Sequence, residues 1–145
     1  MHISHQILEL QTAPGIDIQN LTGQLQAALA ASGVHNGLMV ITSRHTTTAL
    51  GVNEYEPRLL EDLRTLFQRL APPDAPYQHN DIHLRDCPPD EPENAHSHLL
   101  AMLLSSSEAV SVVDGSLALG VWQSVLFFEL DGPRRRQINL QIIGE

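Results

Sequence analysis

A chain of 145 residues, 42% of them hydrophobic, is sized for a single domain over residues 1–145 with a core of its own. The formal charge is -9 and all eight basic residues are Arg, which argues against nucleic acid as a partner and removes Schiff-base, P-loop and Lys general-base chemistry. One cysteine, Cys87 in a Pro-rich stretch, permits no intrachain disulfide or thiolate metal cage; with no long apolar run and no signal-like start, a cytoplasmic protein without membrane partners is expected.

Ile3, His5, Ile7, Leu8 and Leu10 suggest an N-terminal strand, and Pro14-Gly15 turns the chain towards a predicted helix over 17–32. Leu21, Leu25, Ala28 and Leu29 recur in it at helical spacing, and Gly33 is placed to cap it. A β-branched run from Gly37 to Thr42 reads as a strand. The next helix starts at Pro57 and sets Leu59, Leu60, Leu63, Leu66, Phe67 and Leu70 opposite Arg58, Glu61, Asp62, Arg64 and Arg69, until Pro72-Pro73 stops it.

Residues 71–93 hold six prolines and read as one long loop. Asn94 can cap a third helix containing His96, His98, Leu100 and Met102. The tail is β: Val110 to Val113, a turn at Asp114-Gly115, Leu117 to Leu119, Val121 to Leu130, a turn at Asp131-Gly132-Pro133, and Arg134 to Ile143. This order predicts an α+β fold of mostly antiparallel β-sheet layers with helices on one side.

The chemistry concentrates after the apolar run at 38–41. Thr42, Ser43, Arg44, His45, Thr46, Thr47 and Thr48 follow it directly, with Asn53 and Glu54 a few residues on, so a buried strand delivers polar groups to its end. The same threonines are also consistent with a plain edge strand. Eight histidines raise the question of a shared site. On a helix, His96 and His98 project roughly 200° apart, so only one can face a given pocket. His98 goes with Asn94 and Met102, His96 with Leu100. His79 and His83 stand four apart but in a loop, where that spacing fixes no chelate.

Trp122 and Gln123 offer an aromatic face and an amide to a flat ring, or a core Trp with a satisfied neighbour. In an extended strand Arg134 and Arg136 share a face, which suits either phosphate or a solvated edge.

Taken together, Ser43 to Leu50, Asn53-Glu54, Tyr77 to Asn80, Asn94 to Leu99, Asp114 to Gln123 and Glu129 to Arg134 resemble the YjbQ family, also called the secondary thiamine-phosphate synthase family. The resemblance covers nearly the whole chain with its motifs in order. It implies a homotrimer with clefts near subunit contacts and a metal-capable site at His45, His79 and His98. Histidine ligands suit Zn, whereas a diphosphate substrate admits Mg. The implied activity joins an aminopyrimidine methyl diphosphate to a thiazole phosphate and releases diphosphate, as a side activity on a small anionic phosphorylated substrate.

For that chemistry His45, Glu54 and Glu129 are candidate catalytic groups. Arg44, Thr46, Thr47, Asn53, Trp122, Gln123 and Arg134 are candidate substrate contacts. Two further readings stand beside it: a metal-dependent phosphoesterase on a three-His centre, and a non-enzymatic trimeric module that binds metal or phosphometabolite. Glu56-Pro57 stands where the family usually has Asp-Pro, Ser105 to Ser107 where it usually has Gly, and Val121 in place of a usual Thr.

Overall fold

The computed structural model describes residues 1–145 as two antiparallel sheets and three helices. Strand β1 (His2–Gln11) leads to β2 (Gly15–Asn20), helix α1 (Thr22–Ser32), β3 (Gly37–Ser43), β4 (Thr48–Asn53) and helix α2 (Pro57–Leu70). Two single 3-10 turns, Gln78–Asn80 and Ile82–Leu84, precede α3 (Ala95–Leu103). The chain ends with β5 (Ser107–Val113), β6 (Ser116–Leu117), β7 (Ser124–Gly132) and β8 (Arg135–Gly144). One sheet runs β1-β8-β3-β5-β6 and the other β2-β7-β4. This is the α+β architecture expected from the sequence.

Period-two burial builds the layers. Ile138, Leu140 and Ile142 of β8, Met39 and Ile41 of β3, and Val110 and Val112 of β5 turn to one face, where they meet Leu21 at the N-cap of α1, Leu25 and Leu29 within it, and Leu50, Val125 and Phe127 of the smaller sheet. The alternate residues of β7, Leu126, Phe128 and Leu130, form a second core with Leu60, Phe67 and Leu100 from α2 and α3. Phe67 and Phe128 meet edge to face at 5.7 Å. Covered on both faces, β7 reads as a continuous apolar run rather than an alternating one. The helices all pack on one side of the larger sheet, whose other face exposes Ile3, Ile7 and Leu38. No helix is long and apolar enough to cross a membrane.

Several boundaries differ from the sequence expectation. The helix predicted over 17–32 begins at Thr22, because Asp17, Ile18, Gln19 and Asn20 belong to β2 and pair along β7. Gly33 caps α1 in the left-handed region at φ 72°, as expected. Residues 48–53 form a strand of their own, and β7 starts at Ser124 rather than Val121. In α2, Pro57 opens the first turn and the Glu56 carboxylate accepts from the Leu59 N–H at 2.7 Å, so Glu in place of Asp keeps the cap. Asn94 stands at the N-cap of α3, but its side chain is spent elsewhere, donating to Asp131 at 2.7 Å.

Candidate functional site

Beneath the loop at 44–47 lies a buried polar network that the two sheets clasp between them. Arg136 sits on the inward face of β8 and donates from Nε and an amino nitrogen to the two oxygens of Glu129 on β7, both at 2.7 Å. The pair is almost wholly withdrawn from solvent, with side-chain exposures of 7% and 0%. Glu129 also accepts from the Thr12 hydroxyl at 2.8 Å and from the Asp131 N–H at 2.9 Å. The guanidinium reaches Thr47 Oγ1 at 2.8 Å, and the Thr47 carbonyl accepts from the Leu130 N–H at 3.1 Å. Bidentate geometry and satisfied oxygens are the conditions under which a buried pair holds together. Its effect is to fix the loop that follows β3.

Above that network the loop forms one wall of a cleft of about 760 Å³, and α3 with the segment after it forms the other. Ser43, Arg44, His45, Thr46 and Thr48 line the first wall; His98, Met102, Ser105 and Ser106 line the second. Arg44 is exposed and its guanidinium bonds only the neutral amide of Gln137, at 3.0 Å, so its charge has no carboxylate partner. His45 Nε2 accepts from the Gln137 N–H at 2.8 Å, which places the proton of the neutral ring on Nδ1. Burial, with Arg136 adding to it, holds the His45 pKa below its ordinary value.

His79 reaches the same wall from the loop. The Asn80 side chain accepts from the Ala95 N–H at 3.1 Å and so docks the first 3-10 turn on the start of α3, while Ser97 donates to the Leu130 carbonyl and ties α3 to β7. The rings of His79 and His98 then meet edge to face with centroids 4.8 Å apart. Burial and the neighbouring His79 lower the His98 pKa, with Asp131 opposing them. His96 points elsewhere, into a separate apolar cavity with Leu100, as helical spacing requires.

The remaining candidates are not in this cleft. Asn53 and Glu54 close the far end of β4, roughly 16 Å along the strand from Thr48 at the usual rise per residue. Asn53 pairs with Ser124, which places Trp122 and Gln123 beside them at the start of β7. Trp122 is 74% exposed and belongs to neither core, because Val121 to Gln123 lie in the turn before the strand. Gln123 accepts from the Gly120 N–H at 2.8 Å. Glu129 and Thr47 lie under the loop rather than on the cleft surface. Arg134 stands outside β8 and folds back on Asp131 at 2.8 Å, so it shares no strand face with Arg136.

The three-His metal set does not assemble within one chain. No group of three His, Cys, Asp or Glu side chains is arranged to hold a metal ion, and His45 Nε2 is engaged by a backbone N–H. His79 and His98 alone come together. Sequence reasoning noted Arg136 only as sharing a strand face with Arg134, and Ser105 and Ser106 only as departures from the family; Thr12 it passed over. The inward place of Arg136 was legible from register, since it keeps step with Ile138, Leu140 and Ile142; Thr12, joined to the site only across strands, carries no local signal.

Fold and site together define a small α+β protein with two antiparallel sheets and a polar cleft lined by one unpaired Arg and two His. The family described as UPF0047 protein YjbQ-like matches residues 6–145, and the chain belongs to that family. It is 40% identical over 145 residues to a UPF0047 protein of Methanothermobacter thermautotrophicus, covering all of this chain and 95% of the other. A UPF0047 protein of Archaeoglobus fulgidus is 39% identical over 136 residues, which are 94% of this chain and 98% of that one. Among solved structures, a hypothetical protein from Aeropyrum pernix K1 superposes with a TM-score of 0.89 at 38% identity, over 98% of this chain and 99% of that one. A YbjQ-like protein of unknown function from Sulfolobus solfataricus P2 gives 0.88 at 33%, over 99% and 98%.

Proposed function

We propose that the cleft between the Thr-rich loop and α3 binds a small phosphorylated anion, and that the chain carries the transfer its family resemblance implies. In that reaction the thiazole nitrogen bonds to the methylene carbon of the aminopyrimidine as the carbon–oxygen bond to diphosphate breaks. The diphosphate leaves with the electron pair. What supports the reading is the gathering of Arg44, the hydroxyls of Thr46 and Ser106, and two histidines around about 760 Å³, a size usual for small-molecule sites.

The developing charge is on the leaving group, so a cation without a carboxylate partner and a rim of hydroxyl donors are the parts the step requires. His45, with Nδ1–H left free, adds a neutral donor, and Glu129 acts by holding Arg136 and Thr47 under the loop. Asn53, Glu54, Trp122 and Gln123 enter this reading through the homotrimer, in which a second copy would bring its far end to the cleft. Such a protein would work in the cytoplasm. A divalent metal, Zn or Mg, would need donors beyond the three histidines of one chain.

A phosphoesterase is the second reading, favoured by the half-buried pair His79 and His98, whose rings meet edge to face. A neutral His98 can accept a proton from attacking water. Pure protein incubated with both substrates separates the two: thiamine phosphate with diphosphate supports transfer, and inorganic phosphate alone supports hydrolysis. Arg44→Ala should lower the transfer rate about 10²-fold, the scale of losing one charge-stabilising donor. Binding without turnover, or a rate that Arg44→Ala leaves unchanged, overturns the transferase reading.

A further inference from the structure

A single residue of β8 contacts both Arg44 and His45. The register of β3 against β8 sets Ser43 opposite Ile138, so the next residues along, Arg44 and Gln137, come side by side. The Gln137 backbone N–H donates to His45 Nε2 at 2.8 Å, and the Gln137 side-chain oxygen accepts from Arg44 Nη1 at 3.0 Å. The first bond belongs to the main chain and survives any substitution except proline, which has no N–H. The second is lost with the amide.

That amide is oriented from its other side. Glu9 of β1 stands opposite Gln137 in the sheet, and its Oε1 lies 3.5 Å from Gln137 Nε2. Arg135 bonds Glu9 and holds its carboxyl below the usual carboxylate range, so at neutral pH Glu9 is ionised and can only accept. The amide nitrogen therefore turns to Glu9 and the oxygen to Arg44. An amide oxygen takes one N–H of the guanidinium and none of its charge, which leaves the other donors and the positive charge for a ligand. A carboxylate in that place would cancel the charge. A free Arg on an exposed loop loses rotamer freedom when a ligand orders it, and an anchor already in place lowers that cost.

We infer that Gln137 is a positioning residue of the cleft: its side-chain oxygen presets the Arg44 guanidinium at the cleft wall and leaves the charge unspent, which suits the site to a phosphorylated anion. This rests on the reading of the cleft as an anion site. Gln137 touches no ligand and acts only through Arg44.

Titration calorimetry of the full chain with inorganic diphosphate tests the assignment. Gln137→Met keeps the side-chain length and the main-chain bond to His45 but removes the acceptor. It should weaken diphosphate binding about three- to ten-fold, the scale of ordering one long side chain. Gln137→Glu should weaken binding further, since it pairs with Arg44 and repels the anion. Combined with Arg44→Ala, Gln137→Met should cost nothing more, because the two act as a unit. Relaxation of Arg44 Nε in ¹⁵N-arginine-labelled protein, read without ligand, should show an ordered guanidinium in the parent chain and a mobile one in Gln137→Met. Affinity unmoved or tightened in Gln137→Met, the same loss with and without Arg44, or an Arg44 Nε equally mobile in both proteins overturns the assignment and leaves the anion reading standing. A parent chain that binds no diphosphate overturns both.

Discussion

The two ends of the β4–β7 ribbon carry the same kinds of residue and use them in opposite ways. At the cleft end, Thr47, Glu129 and Arg136 point between the sheets and satisfy one another in the dry interior. At the far end, Asn53, Glu54, Trp122 and Gln123 make short local contacts at the surface, such as Asn53 accepting from the Glu54 N–H at 2.8 Å. The difference is burial. A polar group held between two sheets must be matched and so becomes a fixed support, while one on a turn is free to meet whatever arrives.

The largest expected effect is at the buried pair. Arg136→Met leaves the Glu129 carboxylate in the interior without its guanidinium, and unfolding by urea should show a loss of about 3–5 kcal/mol. The double variant Glu129→Leu with Arg136→Met removes both charges and should recover most of that. A loss below about 1 kcal/mol in the single variant, the range of an exposed pair, would mean that the cleft end is as open as the far end.

That pair also marks where sequence reading stops. Local signals made much of the fold legible: the apolar stripe of α2, Pro57 at its start, Gly33 after α1, and the 200° offset that sends His98 and His96 to different pockets. Strand β2 was missed because its Ile16 and Ile18 run straight into Leu21 and Leu25, and Leu21 alone separates strand from helix. Arg44 and His45 were recognised from their place at a strand end, whereas Glu129 was assigned to catalysis because its partner lies seven residues on and across the other sheet. Trp122 misled for the converse reason. An aromatic between apolar runs usually belongs to a core, and only the register of β7 with β4 shows that the strand has not yet begun.

A smaller effect follows from the histidines. Burial is the first cause lowering the pKa of His45, His96 and His98 from 6.5, so the unfolded chain takes up protons that the folded one refuses. Stability should therefore hold above the ordinary histidine range and fall as pH drops through 6.5 towards the depressed values. Urea midpoints measured from about pH 8 to pH 5 should show that decline, and His98→Gln should make it shallower. Since the far-end candidates include no histidine, Gln123→Ala should leave the slope unchanged; a slope altered by both variants would place the sensitivity outside the cleft.

The smallest effect is expected at Trp122. With 74% of its surface exposed and Val121 beside it at 94%, Trp122→Ala removes almost no buried area from the single chain. Surface changes of that kind stay within about 0.5 kcal/mol. Urea unfolding of a dilute sample, with sedimentation to fix the number of chains per particle, is the measurement. A clearly larger loss that grows with protein concentration would show that a second copy covers Trp122 in solution. In that case the far end is an interface rather than an open turn, and the two ends differ in which chain supplies the burial rather than in whether they are buried at all.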